Sequence, residues 1–430
     1  MLLNNKIIDE LKGEFDNFTD SIGVIQLNLS EKNDYLTLAA GISIEPIIYF
    51  GKPKQIVEYL AFGAWQILSN DEVNDCLTVN SDLRCFGINS FQEKSETVDS
   101  EYWVLPKLWF EQHESTSSLN VVIDCRNQTK ELVWHQIIDV INQINQSNIE
   151  INRQFYQSVG HNPPKDEWCK SIESAKSLIN DKNLDKVVLA RQTKFEFIDK
   201  VNPFLLLKKV QDEDNGVYNF CIKKTNALAF IGGTPERLFE IKNGEIESDA
   251  IAGTIFKPEN SDVDQLKNKL LNSDKNIGEH QHVVDFIKSQ MESLCDEWVV
   301  DNDRSLIELK YLLHLIMHFK GKMKKNRHWL SAINNLHPTP AVAGVPTKKA
   351  LSVIKKTESF DRGWYAGPMG TISKNDAHIV VAIRSGEVID NHVTLYAGAG
   401  IVAHSNPDEE WKELDAKINL FSMIFNKVNQ

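Results

Sequence analysis

The spacing of apolar and polar positions along this chain switches repeatedly between helical and strand periods, and each switch marks an element. Met1 to Glu14 (MLLNNKIIDELKGE) carries its apolar residues at helical spacing and predicts an amphipathic helix. Strand-like stretches follow at Tyr35–Ala40, Ile42–Phe50 (interrupted by Pro46) and Leu119–Asp124. The polar stretch Gln143–Asn162, closed by Pro163 and Pro164, is a candidate seam between two halves. Beyond it the pattern predicts a helix over Glu167–Ile179, a strand Lys186–Arg191 and a helix over Pro203–Gln211. Further strands are predicted at Val217–Lys223, Ala227–Gly232 and Leu238–Lys242. A long helical block covers Val263–Trp298 and another helix Ser305–Lys322. Strands at Ala377–Arg384 and Val393–Ala397 precede a final helix over Asp408–Asn426. No repeat of about 20–50 residues and no regular βαβ rhythm appears, so the order argues for α+β with antiparallel sheets.

Composition narrows the function. The 430 residues are 42% hydrophobic and 25% charged, ordinary globular proportions that exclude disorder. Sixty acidic against 47 basic residues give a net charge of −13 with no basic run, which argues against nucleic acid as a partner. The longest apolar run, Tyr311–Phe319, is far short of the roughly 20 residues that span a bilayer. The amino end has no cationic flank or cleavage site, so no signal peptide is expected. Cys76, Cys85, Cys125, Cys169, Cys221 and Cys295 form no CxxC and are expected to be reduced thiols. A soluble cytoplasmic protein that handles something small is the expectation.

Common catalytic motifs are absent: there is no GxxxxGK[ST], HExxH or GxSxG. Gly398-Ala399-Gly400-Ile401-Val402-Ala403 fits the GxGxxA dinucleotide pattern after an apparent strand. Asn406-Pro407 interrupts the helix that pattern needs, and too little chain follows for a βαβ unit. His280 and His282 would point about 200° apart on a helix and cannot share an ion. Glu279, Val283, Ile287 and Met291 share one helical face, which places a carboxylate on an apolar stripe. Glu410, Glu413, Lys417, Leu420 and Ile424 form a second such row. Ordinary charge pairing on a solvated face competes with a cleft-facing role for these groups. Two carboxylates without thiolates or clustered histidines would suit Mg²⁺. Lys186 shares its strand face with Val188 and Ala190, so it is either a snorkelling lysine or a base beside apolar neighbours. The turn Gly232-Gly233-Thr234-Pro235 presents Glu236 and Arg237 at a strand end. Two rigid runs complete the set, Leu336–Gly344 (LHPTPAVAG) and Arg362–Gly370 (RGWYAGPMG).

Taken with KVVLAR (186–191), IGGTPERL (231–238), DAIAGT (249–254), SDKNIGEH (273–280), VAIRS (381–385) and AGAGIVAHSNPDEEWKE (397–413), these runs make the chain resemble the chorismate-utilising enzymes. The resemblance covers about residue 165 to the end, in order. The amino-terminal part is similar only loosely, as at Cys85-Phe86-Gly87. It implies one α/β (α+β) unit of two antiparallel β-sheets packed together and flanked by helices, in place of two halves. Residues 1–160 would form its amino-terminal part and 161–430 the chorismate-binding catalytic part.

Family members divide by nucleophile. Those that deliver ammonia in anthranilate formation typically carry Gln where Lys186 stands. Aminodeoxychorismate-type members typically carry a lysine in the segment where this chain has Ala252. The resemblance therefore implies an isomerase: Mg²⁺-dependent conversion of chorismate to isochorismate by water attack at C2 with loss of the C4 hydroxyl. Salicylate formation by later pyruvate elimination is the alternative, and a binding protein of the same fold that has lost the chemistry is the other class. The implied roles are Lys186 as base, Glu236 as acid, and Glu279 and Glu413 as Mg²⁺ ligands with Glu410 behind them. Gly253, Thr254, His314, Tyr365, Arg384, Gly398 and Lys417 would bind substrate. A lysine base needs its pKa depressed and a glutamate acid needs its pKa raised, opposed demands on one pair. A monomer serving menaquinone or siderophore synthesis is expected.

Overall fold

The computed structural model describes residues 3–147, 155–258 and 260–427 of the chain. Two sheets dominate it. Among the described residues, the larger has 13 strands and the smaller ten. Strands from both sides of residue 160 enter both sheets. In the larger, Ile22–Leu29, Ser117–Asp124 and Ile47–Gly51 share one hydrogen-bonded path with Tyr218–Lys223, Leu228–Thr234, Ser385–Ile389, His392–Ile401 and Lys186–Phe197. In the smaller, Arg84–Asn89 joins Pro368–Ser373. Among the described residues pairing is antiparallel except for Asn426–Lys427, which runs parallel to Phe155–Asn162. The inner faces meet in a single main core, where Phe50 and Tyr218 of one sheet touch His378 of the other. No described helix is long and apolar enough to cross a membrane. All six cysteines are free thiols.

Most predicted elements are present, and the differences have physical causes. Tyr35–Ala40 is a helix rather than a strand, because Asp34 accepts from the backbone of Thr37 at 3.1 Å and caps a first turn. The long helical block divides: Val263–Leu271 ends, and Ser273 caps a new helix, Asp274–Leu294. Its last predicted residues instead form the strand Cys295–Val300. The helix expected over Ser305–Lys322 is two strands, Ser305–Glu308 and Leu312–Met323. The first half of Leu312–Met323 is buried on both faces, and an unbroken apolar run has no period to distinguish strand from helix. Only from His318 onward does burial alternate. Of the polar stretch 143–162, residues 148–154 lie outside the described residues. Its end is the strand Phe155–Asn162, which pairs with Lys186–Phe197.

Candidate active site

A cleft between the sheets is closed on one side by the helices Asp274–Leu294 and Pro407–Ser422. The first places Glu279 there because Val283, Ile287 and Met291, each one turn further on, are buried in the core. The second begins at the Asn406 cap, and buries Leu414, Ile418 and Phe421. Its Lys417 turns inward, donating to the Gly398 carbonyl at 2.9 Å and pairing with Glu413 at 2.7 Å.

Glu236, Gly253, Thr254, Glu279, His314, Tyr365, Arg384, Gly398 and Lys417 all line this cavity. Lys186 and Glu413 stand just behind it, on Glu279 and Lys417 respectively. Lys186 is fully buried and donates to Glu279 Oε1 at 2.7 Å. Burial alone would raise Glu279, but the charges of Lys186, Lys417 and Lys275 overcome it and hold the carboxyl below its usual range. Glu236 experiences the opposite balance. Burial pushes it up to about 7, against the Thr339 hydroxyl and the more distant Lys186, Lys417 and Arg384.

Arg384 is buried without a carboxylate partner among the described residues, and its backbone is left-handed (φ 48°). That strained conformation aims the guanidinium at the cavity, and a hydrogen bond from Gly233 to its carbonyl holds it. Burial lowers its pKa to about 10. Its Nη2 reaches His314 Nε2 at 2.5 Å. A guanidinium only donates, so Nε2 is the acceptor and Nδ1 carries the proton, facing Thr254 Oγ1 at 3.0 Å. Burial, then Arg384 and Lys417, keep His314 far below its ordinary value, so it is neutral. Thr254 meets His314 because the pairing skips Gly253, a bulge with φ 69°. A Cβ at Gly253 would lie 2.9 Å from the Asn276 carbonyl, so the helix Asp274–Leu294 could not approach. Tyr365 stacks on Tyr396 with ring centroids 5.1 Å apart, and burial raises its hydroxyl pKa, leaving it a donor.

Sequence reasoning missed three participants. Gly400, set aside above as part of a nucleotide-loop pattern, makes room for the ion pair: a Cβ there would sit 2.7 Å from Lys186 Cε and 2.8 Å from Glu279 Oε1. Thr339, in the rigid LHPTPAVAG run, donates its hydroxyl to Glu236 Oε1 at 3.4 Å. Lys275, one turn before Glu279, feels Glu410, Glu413 and Glu279 together, and pairs with Glu410 at 3.3 Å. Because the groups facing Gly400 are flexible side-chain ends, Gly400→Ala should melt within a few degrees of wild type yet lose at least about tenfold in kcat. Melting curves beside steady-state kinetics check this, and unchanged kcat would show that the ion pair needs no such room.

Among the described residues no group of three or more acidic, histidine or cysteine side chains forms a metal cage. The fit to Mg²⁺ rests on donor chemistry. Glu279, Glu410 and Glu413 offer only oxygen, and Lys186, Lys275 and Lys417 respectively stand on them, so a cation would bind in competition with these ammonium groups. One or two carboxylates completed by substrate and water is the usual Mg²⁺ arrangement.

Fold and site together describe an enzyme cleft with buried cations for a small anion and a carboxyl group poised near neutral pH. Residues 49–425 match the family model described as "Chorismate binding enzyme", and the chain belongs to that family. It is 32% identical over 338 residues to "Isochorismate synthase 2, chloroplastic" of Arabidopsis thaliana, spanning 76% of this chain and 60% of that protein's length. It is 29% identical over 425 residues to "Isochorismate synthase MenF" of Haemophilus influenzae, covering 96% of each. The solved structure of MenF, the menaquinone-specific isochorismate synthase from Escherichia coli, superposes with a TM-score of 0.90 at 27% identity. That match covers 97% of this chain and 99% of that one.

Proposed function

We propose that this chain converts chorismate to isochorismate, with Glu279 and Glu413 as the residues that would hold Mg²⁺. The observation that carries the reading is one cavity lined by a protonatable carboxyl and by cations suited to an anionic substrate. Glu236, raised to about 7, can be protonated at neutral pH, while Lys186 stands on Glu279 behind the cavity wall. Arg384, buried without a carboxylate, supplies the counter-charge for a substrate carboxylate, and Lys417 adds to it. Neutral His314 orients the Arg384 guanidinium and Tyr365 offers a hydroxyl donor. The bound metal would neutralise carboxylate charge and fix the ring. To act as base Lys186 must first give up its own proton and its bond to Glu279; as the free amine it takes a proton from the water whose oxygen bonds to C2. Both double bonds of the ring diene shift by one position, the C4–O bond breaks, and Glu236 gives its proton to the departing hydroxyl. Water enters and water leaves, so the step is an isomerisation and runs in both directions.

Chorismate supplied with Mg²⁺, and without glutamine or ammonium, should give isochorismate as the main product by chromatography. EDTA should abolish turnover and Mg²⁺ restore it. Glu279→Gln or Glu413→Gln should raise the Mg²⁺ concentration needed for half-maximal rate by about tenfold or more. Stoichiometric pyruvate with salicylate would move the chain to the salicylate-forming branch, and full activity in EDTA would remove the metal.

A further inference from the structure

Five lysine and arginine side chains are buried among the described residues: Lys186, Arg191, Lys223, Arg362 and Arg384. Three have a carboxylate at salt-bridge distance, Lys186 on Glu279, Arg191 on Asp415 and Arg362 on Glu358. Two have none. Arg384 faces the cleft described above. Lys223 faces a second cavity of about 480 Å³ that shares no lining residue with that cleft.

Lys223 ends the strand Tyr218–Lys223 and is 9% exposed. Its ammonium donates to the Ile42 carbonyl at 2.8 Å. That bond helps to close the short helix Tyr35–Ala40, which is the plain reason for a lysine here. One neutral carbonyl does not compensate a buried charge, however, and two of the three N–H groups are left. The nearest acid influence, Glu45, already accepts from the Asn226 backbone at 2.5 Å. Burial pulls the ammonium pKa down, further than the Cys221 thiol and Glu45 push it up, so the charge is under-compensated. At the rim, Lys200 and Asp390 neutralise each other at 3.1 Å, so the interior keeps a net positive charge. The walls around it are mixed, with apolar Ile42, Val201, Phe204, Leu228 and Val388 and the polar side chains of Ser43, Asn202, Thr225 and Asn226.

A buried lone cation in a pocket whose walls are part apolar and part polar is complementary to a small organic anion. We propose that this cavity is a second, non-catalytic binding site for a small carboxylate with a compact apolar body, of the size and shape of a benzoic acid. The carboxylate takes the two remaining N–H groups of Lys223 and the Ser43 hydroxyl, while the ring lies against Phe204 and Leu228. The cavity sits where the strand Leu228–Thr234 begins and where Ser385–Ile389 ends. Glu236 and Arg384 stand at the opposite ends of the same two strands, about 20 Å away along Leu228–Thr234. The proposal is independent of the reaction assigned to the cleft, because its test reads binding and not turnover.

Thermal melting with benzoate tests it. Benzoate should raise the melting temperature of the wild-type protein saturably, while benzyl alcohol, its neutral counterpart, should not. Lys223→Met should weaken the apparent affinity at least tenfold with turnover unchanged, and Lys223→Arg should keep most of it. Because benzoate could also enter the catalytic cleft, the shift must survive in Arg384→Ala. A crystal soaked in 4-iodobenzoate gives a readout free of mutation, with an anomalous iodine peak expected beside Phe204. Four results would each overturn the proposal: an undiminished shift in Lys223→Met, a shift lost in Arg384→Ala, an equal shift with inorganic phosphate, or iodine only in the catalytic cleft.

Discussion

Lys186→Gln is expected to lower kcat by about 10²–10⁴-fold while changing KM for chorismate by less than about threefold. The residue is completely buried at a strand start and touches the cavity only through Glu279, so its removal deletes a proton acceptor without opening the binding surface. The substitution also leaves Glu279 without its closest cation. Glu279 is 24% exposed at the cavity wall, so losing its partner costs less than the roughly 3–5 kcal/mol of a fully buried pair, but the single variant should still melt lower than wild type. Lys186→Gln combined with Glu279→Gln removes both charges and should recover part of that loss without recovering turnover. Steady-state kinetics and melting curves on the three proteins separate the two effects. More than half of wild-type kcat in Lys186→Gln would end the assignment of Lys186 as base.

The same residue shows what a chain of letters can reveal about such a site. That Lys186 shares a face with Val188 follows from the two-residue strand period, and that Glu279 heads an inward row follows from the four-residue steps to Val283, Ile287 and Met291. Both are local rules, and both hold. What stands opposite Lys186 is not local. Gly400 is brought there by the pairing of Val188 with Gly400, across more than two hundred residues. Nothing in AGAGIVA indicates that its second glycine clears space for a lysine and a glutamate. The His314–Thr254 contact is hidden twice over. It depends on a bulge at Gly253 and on a strand, Leu312–Met323, whose doubly buried half shows no alternation. His314 could be placed near the ring only through the family resemblance, and its link to Arg384 was visible only once the sheets were assembled.

Glu236→Gln is expected to abolish the acid half of the reaction and, at the same time, to stabilise the protein above neutral pH. With Glu236 raised to about 7, its proton is present through the acidic range and lost above it, so wild-type kcat should fall about tenfold per pH unit beyond that point. In Glu236→Gln the rate near pH 6 should drop by about 10²–10⁴-fold, and the residual rate should no longer show a basic limb near 7. The stability effect runs the other way. The folded carboxyl titrates near 7 and an unfolded one near 4.5, so its contribution to stability is complete below 4.5 and is lost as pH rises through 7. That loss is on the order of 3 kcal/mol, and glutamine, which never ionises, does not suffer it. The variant should therefore unfold at higher denaturant than wild type at pH 8 and at about the same denaturant at pH 4, while being the poorer catalyst wherever the wild type is active. Loss of activity through misfolding would lower stability at both pH values, so denaturation at the two pH values distinguishes a missing acid from a damaged fold. A variant that keeps both its rate and its basic limb would transfer the acid role away from Glu236.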